Sequence, residues 1–550
     1  MSNAKSQFFG LFKPLILALF ALSGCAVQQK PQGGPRDKEA PKLLLAVPKD
    51  QTRNFTGKKI ELTFDEYFKL NNQYQEISIS PAQERLPEFT VKQKTLQIEL
   101  KDTLQKNTTY VINFGKAIVD VNEGNQVKNF TYVFSTGPSI DSLTISGNVF
   151  NAITQTIEKE ATVMLFNLQQ DSLLFGKKKP ALFTTTDTAG NFKFSNLKAD
   201  NYRIYALKEQ SGDKIYNNDG ELVAFKANPI RLTKDTTGIK LTLFKEVPDK
   251  LRYPNRAFDP AGAMFVSTNR PLNRPSVKIL SPEALDVQKV VEINKTADSI
   301  HVYSKNMDFD SLKLALYEAG KPFDTLTFKK GRKETYQRNF TLGYNITPNG
   351  TIKPGTDLII TGNMPIDTYT QSAMTLMEDS AKVNFQLQRD TSTQKRLILK
   401  YRFKPKAKYT LTFNEGSLVD IFGDKLKRTQ KIFSLDNAEN YSELTMRIAV
   451  PDTGKSYIIE LLTASTDQKN VVRTQRITRN TAIVYKMLLA GKYQLRVSYD
   501  ANKNGKWDTG SVSRKTQPEN VWLNPTIYTI RPNWSDEQTI QIPPEPPIAP

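Results

Sequence analysis

From Pro41 onward the chain is written in short runs that alternate apolar and polar residues. Ile60-Glu61-Leu62-Thr63-Phe64, Leu96-Gln97-Ile98-Glu99-Leu100 and Tyr110-Val111-Ile112-Asn113-Phe114 are examples, and clusters of Gly, Asn, Asp and Pro separate them. Side chains at successive strand positions point to opposite faces, so this alternation puts one face of each run in a core and the other in water. Regularly spaced short strands with turn signals between them predict an all-β chain of packed sheets. No amphipathic helix of useful length is legible, and Asp65 to Leu70 is at most one turn of helix. The chain has 550 residues, and single cores stop growing near roughly 250 to 300, so several domains are expected. The 10% aromatic content suits small, aromatic-filled cores.

Two blocks recur. Asn107 to Phe114, followed by Ala117-Ile118-Val119-Asp120 and Tyr132-Val133-Phe134-Ser135, returns as Lys406 to Phe413, Ser417-Leu418-Val419-Asp420 and Ile432-Phe433-Ser434. With Ile60 to Phe64, Asp65-Glu66 and Phe134-Ser135-Thr136-Gly137, this pattern resembles the bacterial Ig-like domain of S-layer and other surface proteins. The resemblance implies a β-sandwich. The second block joins Asn201 to Leu207 with Lys492 to Ser498. Upstream of its first copy lie Ile145-Ser146-Gly147-Asn148-Val149 and the Asp187 to Leu197 segment. They resemble the prealbumin-like sandwich of carboxypeptidase regulatory and collagen-adhesin B-type repeats, in which Asp-x-x-Gly turns a hairpin and Phe residues fill the core. The C-terminal copy lacks this Asp-x-x-Gly-x-Phe block.

The expected organisation is a signal peptide at 1–24, a flexible tether at 25–40 and an Ig-like domain at 41–138. A prealbumin-like sandwich at 140–246 and a β domain of unassigned family at 250–335 follow. A second Ig-like domain at 336–437, a second prealbumin-like sandwich at 440–542 and a Pro-rich tail at 543–550 complete the chain. The tether contains Pro31-Gln32-Gly33-Gly34-Pro35, too polar to build a core.

The N-terminus carries Lys5, an apolar run from Phe8 to Leu22 broken by Lys13, and then Leu22-Ser23-Gly24-Cys25. The run is shorter than the ~20 apolar residues a membrane span needs and reads as a secretory signal. Its end resembles the lipobox of bacterial lipoproteins. That implies cleavage before Cys25, diacylglycerol on its thiol and acylation of the new amine. Cys25 is the only cysteine, so no intramolecular disulfide can form. The net charge of +20 steers the chain towards anionic partners. In a cell envelope these are membrane lipid, anionic glycan, glycolipid or envelope proteins, and nucleic acid is not expected.

Chemistry is sparse. His301 is the only histidine, expected to face solvent from a strand, so imidazole metal sites are excluded and no phosphate loop, zinc set or dinucleotide fingerprint is present. Asp65-Glu66 is the best acidic pair, but adjacent strand residues face opposite sides, and a turn is expected there. Lys400, Arg402, Lys404, Lys406 and Lys408 share one parity, opposite Leu399, Tyr401 and Phe403. They predict a cationic face, for anion binding or for protection of a sheet edge, until Pro405 breaks the ladder. Asp500, Asn502, Asn504 and Asp508, with Gly505 between, match the first half of an EF-hand-type calcium loop, although the twelfth position is Ser511. A plain Asx turn is the other reading. At the offset that aligns Tyr202 with Tyr493, Glu209, Ser211, Asp213 and Asn217 fall on the same four positions. No cofactor other than calcium is implied.

The function expected is a non-enzymatic binding, adhesion or scaffolding component, an outer membrane lipoprotein of the envelope. A carboxylate-based polysaccharide-processing enzyme and a purely structural spacer are the alternatives. Cys25→Ala is expected to abolish labelling by a clickable fatty acid in growing cells, since no other thiol can take the lipid. Labelling that persists in the variant would refute this.

Overall fold

A computed structural model describes residues 37–169, 171, 175–331, 335–464 and 469–547. The signal peptide, Cys25 and most of the tether lie outside the described residues. Half of the chain is strand and 3% is helix. It divides into two compact units, one up to Ile140 and one from Asp141 onward.

The first unit is a β-sandwich. One sheet orders the strands Leu43–Val47, Lys59–Phe64, Thr95–Glu99 and Glu88–Lys92. The other orders Ser78–Ser80, Thr109–Asn113 and Thr131–Ser135. Alternation does here what it predicts: Ile60, Leu62 and Phe64 are buried while Lys59 and Glu61 are exposed. These side chains meet Tyr110, Ile112 and Phe134 of the facing sheet, each burial contributing roughly 1.5–3 kcal/mol. Asp65 and Glu66 form a bend, and the helical turn expected after them is instead the strand Phe68–Leu70. Phe68 is 3% exposed, and its strand pairs with Ile118–Asp120. Tertiary pairing overrides local preference there.

Within the second unit, residues 336–437 repeat this plan, with the strands Thr351–Ile352 and Ala381–Val383 added at the edges of the second sheet. Leu342–Tyr344, Leu358–Gly362, Arg396–Lys400 and Gln386–Arg389 form one sheet in the same order. Met374–Glu378, Lys408–Phe413 and Thr429–Leu435 lie in the other, and Ile366–Tyr369 pairs with Leu418–Asp420. A buried tyrosine is used identically in both modules. The hydroxyl of Tyr110 accepts the N–H of Gln105 (2.8 Å), and that of Tyr409 accepts the N–H of Lys404 (2.7 Å), five residues back in each case.

The other two related sandwiches share a different plan. In one, Leu143–Asn151 lies between antiparallel Asn191–Leu197 and parallel Thr236–Lys245. In the other, Tyr441–Ala449 lies between antiparallel Thr481–Leu489 and parallel Ser535–Gln541. A second run of strands corresponds too, Leu182–Thr185, Thr162–Asn167 and Asp200–Lys208 against Val471–Ile477, Ser456–Thr463 and Gly491–Asp500, although in the first copy it is continuous with the other strands through Leu222–Phe225 and in the second it is a separate sheet. Gly147 is required by packing, because a Cβ there would sit 1.8 Å from the Ile239 carbonyl oxygen. Tyr202 and Tyr493 again close the chain locally, donating to the carbonyls of Lys198 (3.0 Å) and Leu489 (2.7 Å). Between the sandwich at 140–246 and that at 336–437, the strands from Asn255 to Lys329 form two sheets around Ile279, Ile300, Val302, Leu312 and Leu314.

Tyr409→Phe is expected to destabilise its module by about 1–3 kcal/mol, since the Lys404 N–H loses its acceptor and Glu378 loses a donor. The midpoint of the urea transition carrying this module measures it. An unchanged midpoint would show that the hydroxyl is not structural.

Candidate functional site

The Asp500 loop starts where the strand Gly491–Asp500 ends, with Asp500 directly opposite Ser456 of the neighbouring strand. Asp500 is 1% exposed. Its Oδ2 accepts the Ser456 hydroxyl (2.7 Å) and the Gly505 N–H (3.0 Å), and its Oδ1 accepts the Asn504 N–H (2.9 Å). The Arg476 guanidinium stands 3.5 Å from the same carboxylate. Asn502 and Asn504 both direct their side-chain amides at Asp508 Oδ2. The structure thus brings all four predicted positions together, but with hydrogens already aimed at the carboxylates. Among the described residues, no group of three or more His, Cys, Asp or Glu is arranged to hold a metal ion.

Sequence reasoning missed Glu519. Its Oε1 accepts the Ala501 N–H (2.8 Å) and its Oε2 the Asp508 N–H (3.0 Å), so it closes the loop from the far side. Burial, reinforced by the charges of Asp508 and Asp500, pushes its carboxyl above the ordinary range. No spacing rule points to it, because it lies beyond the loop at the threshold of the next strand, Val521–Ile530.

The first sandwich builds the same loop. Glu209 accepts the Thr162 hydroxyl (2.7 Å) and the Lys214 N–H (2.7 Å), as Asp500 accepts Ser456 and Gly505. Glu221 accepts the N–H groups of Gln210 (3.4 Å) and Asn217 (3.3 Å), as Glu519 accepts those of Ala501 and Asp508. Lys214 and Gly505 occupy the same left-handed position, with φ of 61° and 78°. The recurrence seen in the sequence is therefore a recurrence of hydrogen bonds. Carboxylates satisfy loop N–H groups that would otherwise be unpaired near a sheet.

The five basic residues are divided by the structure. Lys400 ends the strand Arg396–Lys400 and Lys408 begins the strand Lys408–Phe413, so the predicted continuous strand face is not formed. The physical reason lies in the intervening turn: Phe403 packs against Tyr409 (5.0 Å between ring centroids), the Lys404 N–H is taken by the Tyr409 hydroxyl, and Lys406 adopts φ 65°. All five side chains are nevertheless exposed. Lys404 pairs with Glu378, which also accepts the hydroxyls of Tyr401 and Tyr409 and is held below the ordinary carboxylate range by Lys404. Among the described residues the side chains of Lys400, Arg402, Lys406 and Lys408 form no ion pair, although the Lys408 N–H donates to the Asp379 carboxylate (3.0 Å), so four cations surround one turn.

His301 is half-buried rather than solvent-facing. It lies 4.6 Å from the ring of Phe265, its direct partner on the neighbouring strand, and the Lys395 ammonium sits nearby over the Tyr303 ring (5.1 Å). Burial, followed by the nearby Lys395 charge, pushes its pKa down. Asp65 accepts the Lys42 N–H (2.7 Å) from the bend it shares with Glu66. Glu66 is pushed up by burial and by surrounding carboxylates, Asp120 foremost.

Residues 37–136 match the family described as bacterial Ig-like domain. No curated protein matches the chain. Among solved structures, the chain is similar to the major pilin subunit BcpA of Bacillus cereus at 9% identity. That match covers 73% of this chain and 99% of the pilin, with a TM-score of 0.13. A fragment of the bacterial S-layer protein SbsC is 11% identical, over 84% of this chain and 64% of that one (TM-score 0.14). A fragment of titin is 12% identical, over 46% and 91% (TM-score 0.15).

Asp500→Asn is expected to destabilise the C-terminal sandwich by about 1–3 kcal/mol, since it weakens buried bonds to a charged acceptor. The melting temperature of the wild type is expected to be equal in millimolar calcium and in chelator, because the protein's own donors fill Asp500. A calcium-dependent rise that Asp500→Asn removes would show instead that an ion displaces them.

Proposed function

We propose that this chain is a non-enzymatic lipoprotein of the bacterial cell envelope, anchored through Cys25, whose sandwich modules serve as a scaffold that binds anionic envelope components. The observation that carries this reading is the match of residues 37–136 to the bacterial Ig-like domain. The secretory leader ending in Leu22-Ser23-Gly24-Cys25 supports export and anchoring. Acyl chains contribute ~0.8 kcal/mol per buried methylene, so the set implied at Cys25 would hold the protein to a membrane durably. The state of the carboxylates supports a structural role: Asp500, Glu209, Glu221, Glu519 and Glu378 are all committed to internal hydrogen bonds.

The ligand chemistry follows from the turn at 400–408. Four exposed cations whose side chains form no ion pair, on the connection between two core strands, suit phosphate or carboxylate groups spread along a glycan or glycolipid. Such binding is screened by salt over a Debye length of roughly 10 Å at 0.1 M. Replacing Lys400, Arg402, Lys406 and Lys408 by Ser is expected to abolish retention on an immobilised anionic polysaccharide, while the far-ultraviolet spectrum stays unchanged. Retention equal to wild type would remove this surface from the proposal. Release of new reducing ends from the polysaccharide would favour the enzymatic alternative.

A further inference from the structure

The two Asx-rich loops differ in length at one point. Asn217 and Glu221, joined by an N–H bond, are four residues apart, whereas Asp508 and Glu519, joined by the same bond, are eleven apart. The C-terminal copy therefore carries seven additional residues. They are not surface filler, because they lie against the first sandwich of the same unit.

Thr509 donates its hydroxyl to the Lys245 carbonyl (2.6 Å), Ser511 its hydroxyl (2.7 Å) and Val512 its N–H (2.9 Å) to Glu246. Gln517 donates to the Phe225 carbonyl (2.8 Å) and Ser513 to Asp249 (3.1 Å). Ser511 and Thr516 exchange both main-chain bonds (2.8 and 2.9 Å), which folds the insert into a compact turn. Trp507 and Val512 pack on the apolar cluster that contains Phe225 and Phe244. Gly510 is required by this fit, since a Cβ there would lie 2.7 Å from the Phe244 ring and 2.7 Å from the Thr516 carbonyl oxygen. The receiving side is prepared as well: Glu246 is held from below by the Tyr216 hydroxyl (3.0 Å).

The same contact closes a cycle. The first sandwich touches residues 250–335 through Asp219 and Asn269 (2.8 Å). Those touch 336–437 through Tyr303, Ile421 and Phe422, and through Lys305 and Asp367 (2.6 Å). Residues 336–437 lead into the last sandwich, where the Tyr441 hydroxyl donates to Asp436 (2.9 Å). We propose that residues 509–518 are a clasp that locks the last sandwich of the second unit onto its first, so that four modules move as one body and open into a string when it is released. The clasp is mostly polar and holds two carboxylates, Glu246 and Asp249, so its release needs no unfolding of either sandwich.

Two experiments on the full chain, carrying Cys25→Ser to remove the native thiol, test this. Ser513→Cys with Asp249→Cys is expected to be joined by a short bis-maleimide crosslinker, giving a band of altered mobility. Gly510→Val is expected to abolish that crosslink, raise the radius of gyration in small-angle scattering and speed hydrogen exchange at Thr236–Lys245. If Gly510→Val disturbs the sandwich itself, Glu246→Ala with Asp249→Ala must give the same expansion with an unchanged far-ultraviolet spectrum. Absence of the crosslink in the closed form would overturn the proposal. So would a radius of gyration that neither clasp variant changes.

Discussion

A tyrosine hydroxyl bound to the main chain a few residues earlier closes the chain at the start of a central strand in each of the four related sandwiches. In one plan Tyr110 and Tyr409 accept an N–H from five residues back, and in the other Tyr202 and Tyr493 donate to a carbonyl four residues back. Each bond fixes where the chain enters a central strand, and a register slip of one residue would send every apolar side chain of that strand to the solvent face. The choice of Tyr over Phe follows: the ring fills the core while the oxygen reaches out to a main-chain group at the core's edge. Once these strands are fixed, the neighbouring strands pair on both sides of them and the loops emerge at set places.

The loops at 209–221 and 500–519 show what fixed placement permits. Both sit at the end of the tyrosine-bearing strand, and both use carboxylates to hold loop N–H groups. Because the frame is the same, an insertion in one copy can add a new contact without disturbing the sheet. Residues 509–518 contain such an insertion, and Phe244 and Glu246 receive it. The turn at 400–408 shows a similar economy: the core takes Tyr401 and Phe403, and the charges between them are left for solvent or a partner.

Much of the fold was legible because period-two alternation maps directly onto burial, as at Ile60, Leu62 and Phe64. The repeats were legible because the same tyrosine environment selects the same neighbours twice. What misled was alternation that continues past a strand end: Lys400 to Lys408 keeps its parity through a turn made by Pro405 and Lys406. The alternation around His301 does not reveal that the Phe265 ring stands opposite it on the next strand. Glu519 and the clasp were invisible for a related reason. The partners of Glu519 lie 11 and 18 residues back across an irregular loop and those of the clasp in a module more than 250 residues away, and no local periodicity encodes such contacts.

The most direct test of the proposed role is crosslinking with an amine-reactive reagent in intact cells, followed by mass spectrometry of the recovered chain and its fractionation. The expected result is recovery in the membrane fraction, with crosslinks from exposed lysines, Lys400 and Lys408 among them, to envelope components. Recovery in the soluble cytoplasmic fraction, crosslinked to cytoplasmic proteins, would contradict an anchored envelope scaffold.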